Sequence, residues 1–283
     1  MIAIESVAAL REALGNHRRA GARVAFVPTM GNLHAGHLKL VEEAKRLADV
    51  VVVSIYVNPL QFGPKEDLAA YPRTPDTDRQ QLEQLEVDLL FMPTDKDIYP
   101  RGPADTTRVE VPGLGKILCG VSRPTHFAGV TTVVNRLFNL VQPAVAVFGK
   151  KDYQQLLIVQ RMVSDLGMPI EIAGVDTVRE SDGLAMSSRN GYLSNAERKA
   201  APALYQALVS AAQSLTAGTT NVEKAIDQVR KDIEASGFRT DYVEIRRQTD
   251  LGEPAQTDRQ LVLLVAGWLG RTRLIDNIEF TCA

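Results

Sequence analysis

The chain has only two cysteines, Cys119 and Cys282, far apart and outside any metal-type motif. That excludes a disulfide framework and a cysteine-based zinc site. It has little excess charge of either sign: 32 Lys and Arg stand against 34 Asp and Glu, a formal net charge of −2. A basic nucleic-acid surface is therefore not expected. Long apolar runs are missing and the N-terminus shows no secretory hydrophobic core, so neither a membrane span nor export is expected. Internal repeats and low-complexity tracts are missing too. What remains is an ordinary globular balance, 45% hydrophobic and 23% charged over 283 residues, enough for one large domain and a smaller one. The expected location is the cytoplasm.

Hydrophobic spacing predicts a helix over 5–20, a strand over 23–28, a helix over 36–48 and a continuous apolar strand over 50–57. A short helical turn over 66–71, a helix over 75–85 and a strand over 87–92 follow. Residues 96–115, rich in Pro, Gly and Asp, read as loop. Then come a helix over 129–141, a strand over 144–148, a helix over 152–166 and a fifth strand over 170–175. Strands alternating with helices predict an α/β fold with a Rossmann-like, doubly wound parallel sheet. Beyond residue 190 the pattern changes to helices over 196–215 and 222–235, a strand over 241–247, and strands over 261–266 and 271–278 around the Gly267–Gly270 hairpin signal. The expected division is a domain over 1–180 and a small α+β domain over 181–283.

In a doubly wound sheet, ligands gather at the carboxyl ends of strands. Four polar clusters fall there: Thr29–His37, Asn58–Gln61, Gly149–Gln155 and Val178–Arg189. The first is a strand-to-helix turn, Pro28-Thr29-Met30-Gly31-Asn32-Leu33-His34-Ala35-Gly36-His37. Its glycines allow close backbone approach, and a helix starting near Gly36 turns its N–H groups and dipole toward an anion. The turn lacks both the P-loop and the G-x-G-x-x-G pattern. His34-Ala35-Gly36-His37 instead resembles the H-x-G-H signature of the nucleotidyltransferase and class I aminoacyl-tRNA synthetase superfamily.

In the third cluster, lysines at a helix start oppose the dipole, so Lys150 and Lys151 suit a bound phosphate better than the helix, with Lys151 preferred. Asp152 reads as an N-cap. Gln155 is suited to a hydroxyl or carboxylate. Ser187, Ser188 and Arg189 form an anion clamp or a serine-rich linker. Asp76 and Asp78 read as acids charging a helix first turn, with magnesium contact as the alternative. His126 reads as structural or at the rim, and Cys119 as packing.

Taken in order, these clusters resemble the pantoate–β-alanine ligase family over essentially the whole chain. The match is carried by Pro28–His37, by Tyr56-Val57-Asn58-Pro59-Leu60-Gln61-Phe62, by Tyr71–Thr74, by Phe148–Asp152 with Gln154-Gln155, and by Asp182–Asn190. Two departures stand out: Lys150 where relatives often carry Glu, and Thr125 where many carry Gly. The resemblance implies that ATP and pantoate form pantoyl adenylate and pyrophosphate, after which β-alanine gives pantothenate and AMP. Mg²⁺ accompanies the nucleotide, the protein is a homodimer, and the small domain is a lid. It also implies that His37, His34 and Lys151 are catalytic. ATP is held by Met30, Gly31, Asn32, Leu33, His34, Ala35, Gly36, His37, Gly149, Lys150, Lys151, Asp152, Val178, Met186, Ser187, Ser188 and Arg189. Gln61, Gln155 and Asn58 hold pantoate and β-alanine. The competing readings are a nucleotidyltransferase that stops after the first transfer and a non-catalytic nucleotide sensor.

Overall fold

The computed structural model describes residues 1–64 and 66–282. The chain divides into two compact units, Met1–Lys150 with Gln155–Asp176, and Lys151–Gln154 with Thr177–Ala283.

The first unit is a parallel sheet of six strands: β1 (Ile2–Ile4), β2 (Val24–Thr29), β3 (Val50–Ile55), β4 (Leu89–Phe91), β5 (Val145–Gly149) and β6 (Glu171–Val175). Their order is β1-β4-β3-β2-β5-β6. The helices are α1 (Val7–Arg19), α2 (Ala35–Leu47), α3 (Pro75–Gln84), α4 (Asp95–Ile98), α5 (Cys119–Ser122), α6 (His126–Val141) and α7 (Tyr153–Asp165). They cover both faces, which is why the central strands are apolar on both sides. Ala25, Val27, Val51, Val53, Val145 and Val147 pack with Val41 and Ala44 of α2 and Leu82 of α3. On the other face the Phe138 ring of α6 meets Phe26 of β2 and Phe148 of β5 edge-on, at 6.3 and 6.4 Å.

The chain runs from β2 toward β4 on one side and from β5 to β6 on the other, so the topological switch lies between β2 and β5. There the sheet opens. β2 pairs with β3 from Val24 to Thr29, but with β5 only at Ala25 and Phe26. Pro28 has no N–H to offer a second neighbour, which accounts for a proline in a central strand.

The second unit has an antiparallel sheet, β7 (Phe238–Arg247), β8 (Gln260–Leu269) and β9 (Thr272–Thr281), in that order. With it come α8 (Asn195–Ala200), α9 (Ala203–Thr216) and α10 (Val222–Ala235). One sheet face buries Val243, Ile245, Leu261, Leu263 and Val265 against Leu204, Leu208, Val229 and Ile233 of α9 and α10.

Several elements differ from the sequence reading. A sixth strand, β1, precedes α1; at three residues it is too short to show a period. Residues 66–71 form bends and turns, not a helix. The loop over 96–115 contains the end of α4 and two single 3₁₀ turns. The helix expected over 196–215 is two helices, because Pro202, lacking an N–H, sits at the cap of the second. The hairpin turn falls at Gly270-Arg271, with Leu269 paired to Thr272. Gly267 lies within β8, where a Cβ would come within 3.1 Å of the Phe238 ring.

Candidate active site

The β2–α2 connection is held from several directions. Thr29 Oγ donates to Ser54 O at 2.8 Å and accepts from Gly31 N at 3.2 Å. Gly31 and Asn32 both take positive φ, 79° and 50°, which Gly and Asn tolerate best. A Cβ on Gly31 would sit 3.0 Å from Asp78 Oδ2 and Ile55. Asp78, 1% exposed, receives Asn32 N at 2.9 Å, Leu33 N at 2.8 Å and Thr74 Oγ at 3.0 Å. It therefore anchors the turn, a role the sequence reading missed. The only hint was a second acid in a first turn that Asp76 already charges.

His34 caps α2, and its Nδ1 accepts from Gly36 N at 3.1 Å. His37 Nδ1 accepts from His34 N at 3.4 Å, closing a capping box made of two histidines. Each Nδ1 is thereby an acceptor, which puts the proton of each neutral ring on Nε2. The ring centroids are 4.1 Å apart. The expected pairing of His34 and His37 is therefore found, one residue from the expected helix start. One of the helix's orphan N–H groups, that of Gly36, is already met within the turn.

After β3, Asn58 starts the 3₁₀ turn Pro59–Gln61. Asn58 is 1% exposed. Its Nδ2 donates to Gln61 Oε1 and to Gly129 O, each at 3.1 Å, and its Oδ1 accepts from Leu60 N at 3.2 Å and Tyr99 Oη at 2.7 Å. Four partners fill a carboxamide. Asn58 therefore holds Gln61 in place. Gln61 itself is 9% exposed, and its Nε2 donates to Met30 Sδ at 2.8 Å, tying it to the first motif. Its carbonyl meets Arg123 Nη2 at 3.3 Å and His126 Nδ1 at 2.9 Å, and Arg123 Nε donates to Glu66 at 2.8 Å. His126 thus packs as a structural partner of the Gln61 turn. A Cβ on Gly129 would overlap Leu60 O, so α6 packs directly on this turn only because of that glycine.

Gly149 ends β5 and Lys150–Asp152 form a 3₁₀ turn. The Lys150 stem passes over Gly174 of β6 and its Nζ pairs with Asp176 at 2.9 Å. That pair runs along the sheet edge to a carboxylate whose side chain is 89% exposed. Gln155 stands in the first turn of α7, partly buried.

In the second unit, Lys151 Nζ lies 3.7 Å from Asp152, and Lys151 O accepts from Asn277 Nδ2 at 2.9 Å. Tyr153 Oη lies 2.9 Å from Glu279 Oε1; burial, then that bond, pushes its ionisation up, so it remains a neutral donor. The 178–189 segment folds back on itself through Met186 N to Val178 O at 3.0 Å. Ser187 caps the turn Ser188–Tyr192, accepting from Arg189 N at 3.3 Å. Ser187, Ser188 and Arg189 are partly buried. Cys119 is buried, as expected for packing. Among the described residues no group of three His, Cys, Asp or Glu gathers to hold a metal, and no helix is long and apolar enough to cross a membrane.

A family model described as Pantoate-beta-alanine ligase matches residues 2–279. The chain is 52% identical over 281 residues to a pantothenate synthetase of Pseudomonas savastanoi pv. phaseolicola, covering 99% of both chains. It is 52% identical over 280 residues to one of Shewanella loihica, again covering 99% of both. The solved pantothenate synthetase of Thermus thermophilus superposes with a TM-score of 0.92 at 48% identity, covering 98% of this chain and 99% of that one. The pantoate-beta-alanine ligase of Francisella tularensis, solved in complex with "Beta-gamma ATP and Beta-alanine", superposes with a TM-score of 0.82 at 33% identity, covering 98% and 97%.

Proposed function

The chain belongs to the pantoate–β-alanine ligase family, and we propose that it joins pantoate to β-alanine at the expense of ATP through a free pantoyl adenylate. In the first step a pantoate carboxylate oxygen attacks the α-phosphorus and the bond to pyrophosphate breaks. In the second the β-alanine amine attacks the acyl carbon, AMP leaves with the bonding pair, and the amine loses a proton. No side chain needs to carry the acyl group, and both cysteines lie outside the clusters.

The observation that carries this reading is the histidine pair at the start of α2, on the carboxyl side of the sheet where β2 and β5 part. A carboxylate is a weak nucleophile, so its attack on phosphorus depends on positioning and on donors aimed at the developing charge. The Nε2–H groups of His34 and His37 are such donors, and His37 is read as the one nearest the departing pyrophosphate. The Met30–His37 backbone, Gly149, Lys151, Asp152, Val178, Met186, Ser187, Ser188 and Arg189 are assigned to ATP. Gln61, preset by Asn58 and Met30, and Gln155 are assigned to pantoate. Magnesium enters as part of the ATP substrate. The family resemblance further supports a cytoplasmic homodimer.

The test is incubation with ATP, Mg²⁺, pantoate and β-alanine, each omitted in turn, with pyrophosphate and AMP measured. Without β-alanine, pyrophosphate is expected up to one equivalent per site with pantoyl adenylate retained. AMP turnover is expected only with all components. Acyl group found on denatured protein would rule out the free adenylate.

A further inference from the structure

The turn that carries Lys151 is not organised by the sheet it follows. Lys151–Gln154 group with the second unit, although the rest of α7 groups with the first. The reason is a set of side chains on and beside β9, far along the chain. Asn277 Nδ2 donates to Lys151 O at 2.9 Å. Tyr153 Oη lies 2.9 Å from Glu279 Oε1 and 3.1 Å from Gln248 O. One residue back, Asp276 is 3% exposed and takes both guanidinium nitrogens of Arg179, at 2.6 and 3.0 Å. Asp276 Oδ1 also accepts Asn277 N at 2.8 Å. Arg179 continues to Gly183 O at 3.1 Å and lies on the Tyr205 ring, 3.4 Å from its centroid.

Two consecutive residues of one strand thus hold two separate segments. Asp276, through Arg179, fixes the base of the loop bearing Ser187–Arg189, and Asn277 fixes the peptide from which the Lys151 side chain departs. A bidentate, buried guanidinium–carboxylate pair is rigid, and removing one partner leaves an uncompensated charge. Asn277 is buried beside it and its amide is spoken for by a backbone carbonyl that is neither in its own sheet nor on a neighbouring strand. Sheet formation alone would be served by any residue with a backbone N–H and C=O.

We infer that Asn277 is a positioning residue for Lys151, with Asp276 as the post that holds Asn277 and the Arg179 loop in one frame. The inference rests on the reading of Lys151 as a donor to the phosphates. Misplacing a reacting group by about 1 Å costs up to about a hundredfold in rate.

The experiment is a cycle of Asn277→Ala, Lys151→Ala and the double variant, read as single-turnover adenylate formation from ATP and pantoate. Asn277→Ala is expected to slow this step about ten- to a hundredfold while the pantoate KM stays within about twofold. The double variant is expected to be no slower than Lys151→Ala, since positioning has no object once the lysine is gone. Asn277→Asp keeps the volume, sets an acceptor against Lys151 O, and is expected to show the same loss; it serves if the alanine variant does not fold. Losses that multiply in the double variant, or an Asn277→Asp protein of unaltered rate, would overturn the inference alone. A Lys151→Ala protein of unaltered rate would overturn the reading of Lys151 and the inference with it.

Discussion

The two units fix their candidate residues by different means. In the first, each histidine ring accepts a backbone N–H within three residues, in a turn that Asp78 holds from 46 residues away. In the second, Lys151 is placed by an asparagine 126 residues away. A contact made within one turn is visible in a short stretch of sequence. A remote one is not, because its partners are scattered in the chain and meet only after folding.

The sharpest way to break that contrast is to remove the donors themselves. His37→Ala and Lys151→Ala should each cut single-turnover adenylate formation by about 10²–10³, the usual effect of losing one donor aimed at transition-state charge. ATP affinity should change much less, because a donor that acts on charge built in the transition state leaves ground-state binding nearly unchanged when removed. Saturation with ATP restoring a near-normal rate in either variant would show that the residue only anchors the nucleotide.

The next effect concerns pantoate. Gln61→Ala should raise the pantoate KM, and Gln155→Ala likewise, by the loss of a hydrogen bond to a charged group, about 1.5–3 kcal/mol, or roughly ten- to a hundredfold. ATP binding, followed by titration calorimetry, should barely move. Gln61 also tests locality, since its amide is preset by Asn58 and Met30 whereas Gln155 sits on a helix turn. Equal losses of ATP affinity in both variants would count against the assignment.

The same contrast explains how far the sequence could be read. The parallel sheet, the small α+β unit and the histidine turn were legible because each is a local pattern: apolar strands, helical spacing, glycine at a turn. β1 escaped because three residues carry no period, and its place comes only from pairing with β4. Pro202 was legible in principle, since a proline inside a helical pattern marks a break. The contacts of Asp78 and Asn58 are not legible in residue type. An acid in a helix first turn and a polar residue at a strand end have ordinary local roles. Their actual partners lie up to 46 and 71 residues away, so burial and partner count, not residue type, decide what they do.

Asp78 offers a smaller, stability-based test. Asp78→Ala would leave the N–H groups of Asn32 and Leu33 without their acceptor in a buried turn. An orphaned buried donor costs about 1–3 kcal/mol. The urea midpoint should fall accordingly, and adenylate formation should fall with it, because the turn carries both histidines. A variant of unchanged stability that lost activity would instead argue for direct contact between Asp78 and the MgATP.

The smallest effect separates two neighbours. Lys150 and Lys151 adjoin in sequence but belong to different units, and Lys151 is held from β9. Lys150 runs along β6 to an ion pair with Asp176, whose side chain is 89% exposed. Such a pair contributes about 0–1 kcal/mol. Removing it by Lys150→Gln keeps the Cγ that lies against Gly174 and deletes the charge. Stability should therefore shift by no more than about 1 kcal/mol, with the shift shrinking further in high salt. Adenylate formation should stay within about twofold of the unaltered protein, against the 10²–10³ expected for Lys151→Ala. Parallel stopped assays of pyrophosphate release on the two variants decide the point. If Lys150→Gln fell as far as Lys151→Ala, the ion pair with Asp176 would have to open during the reaction, and the division of labour drawn between the two lysines would fail.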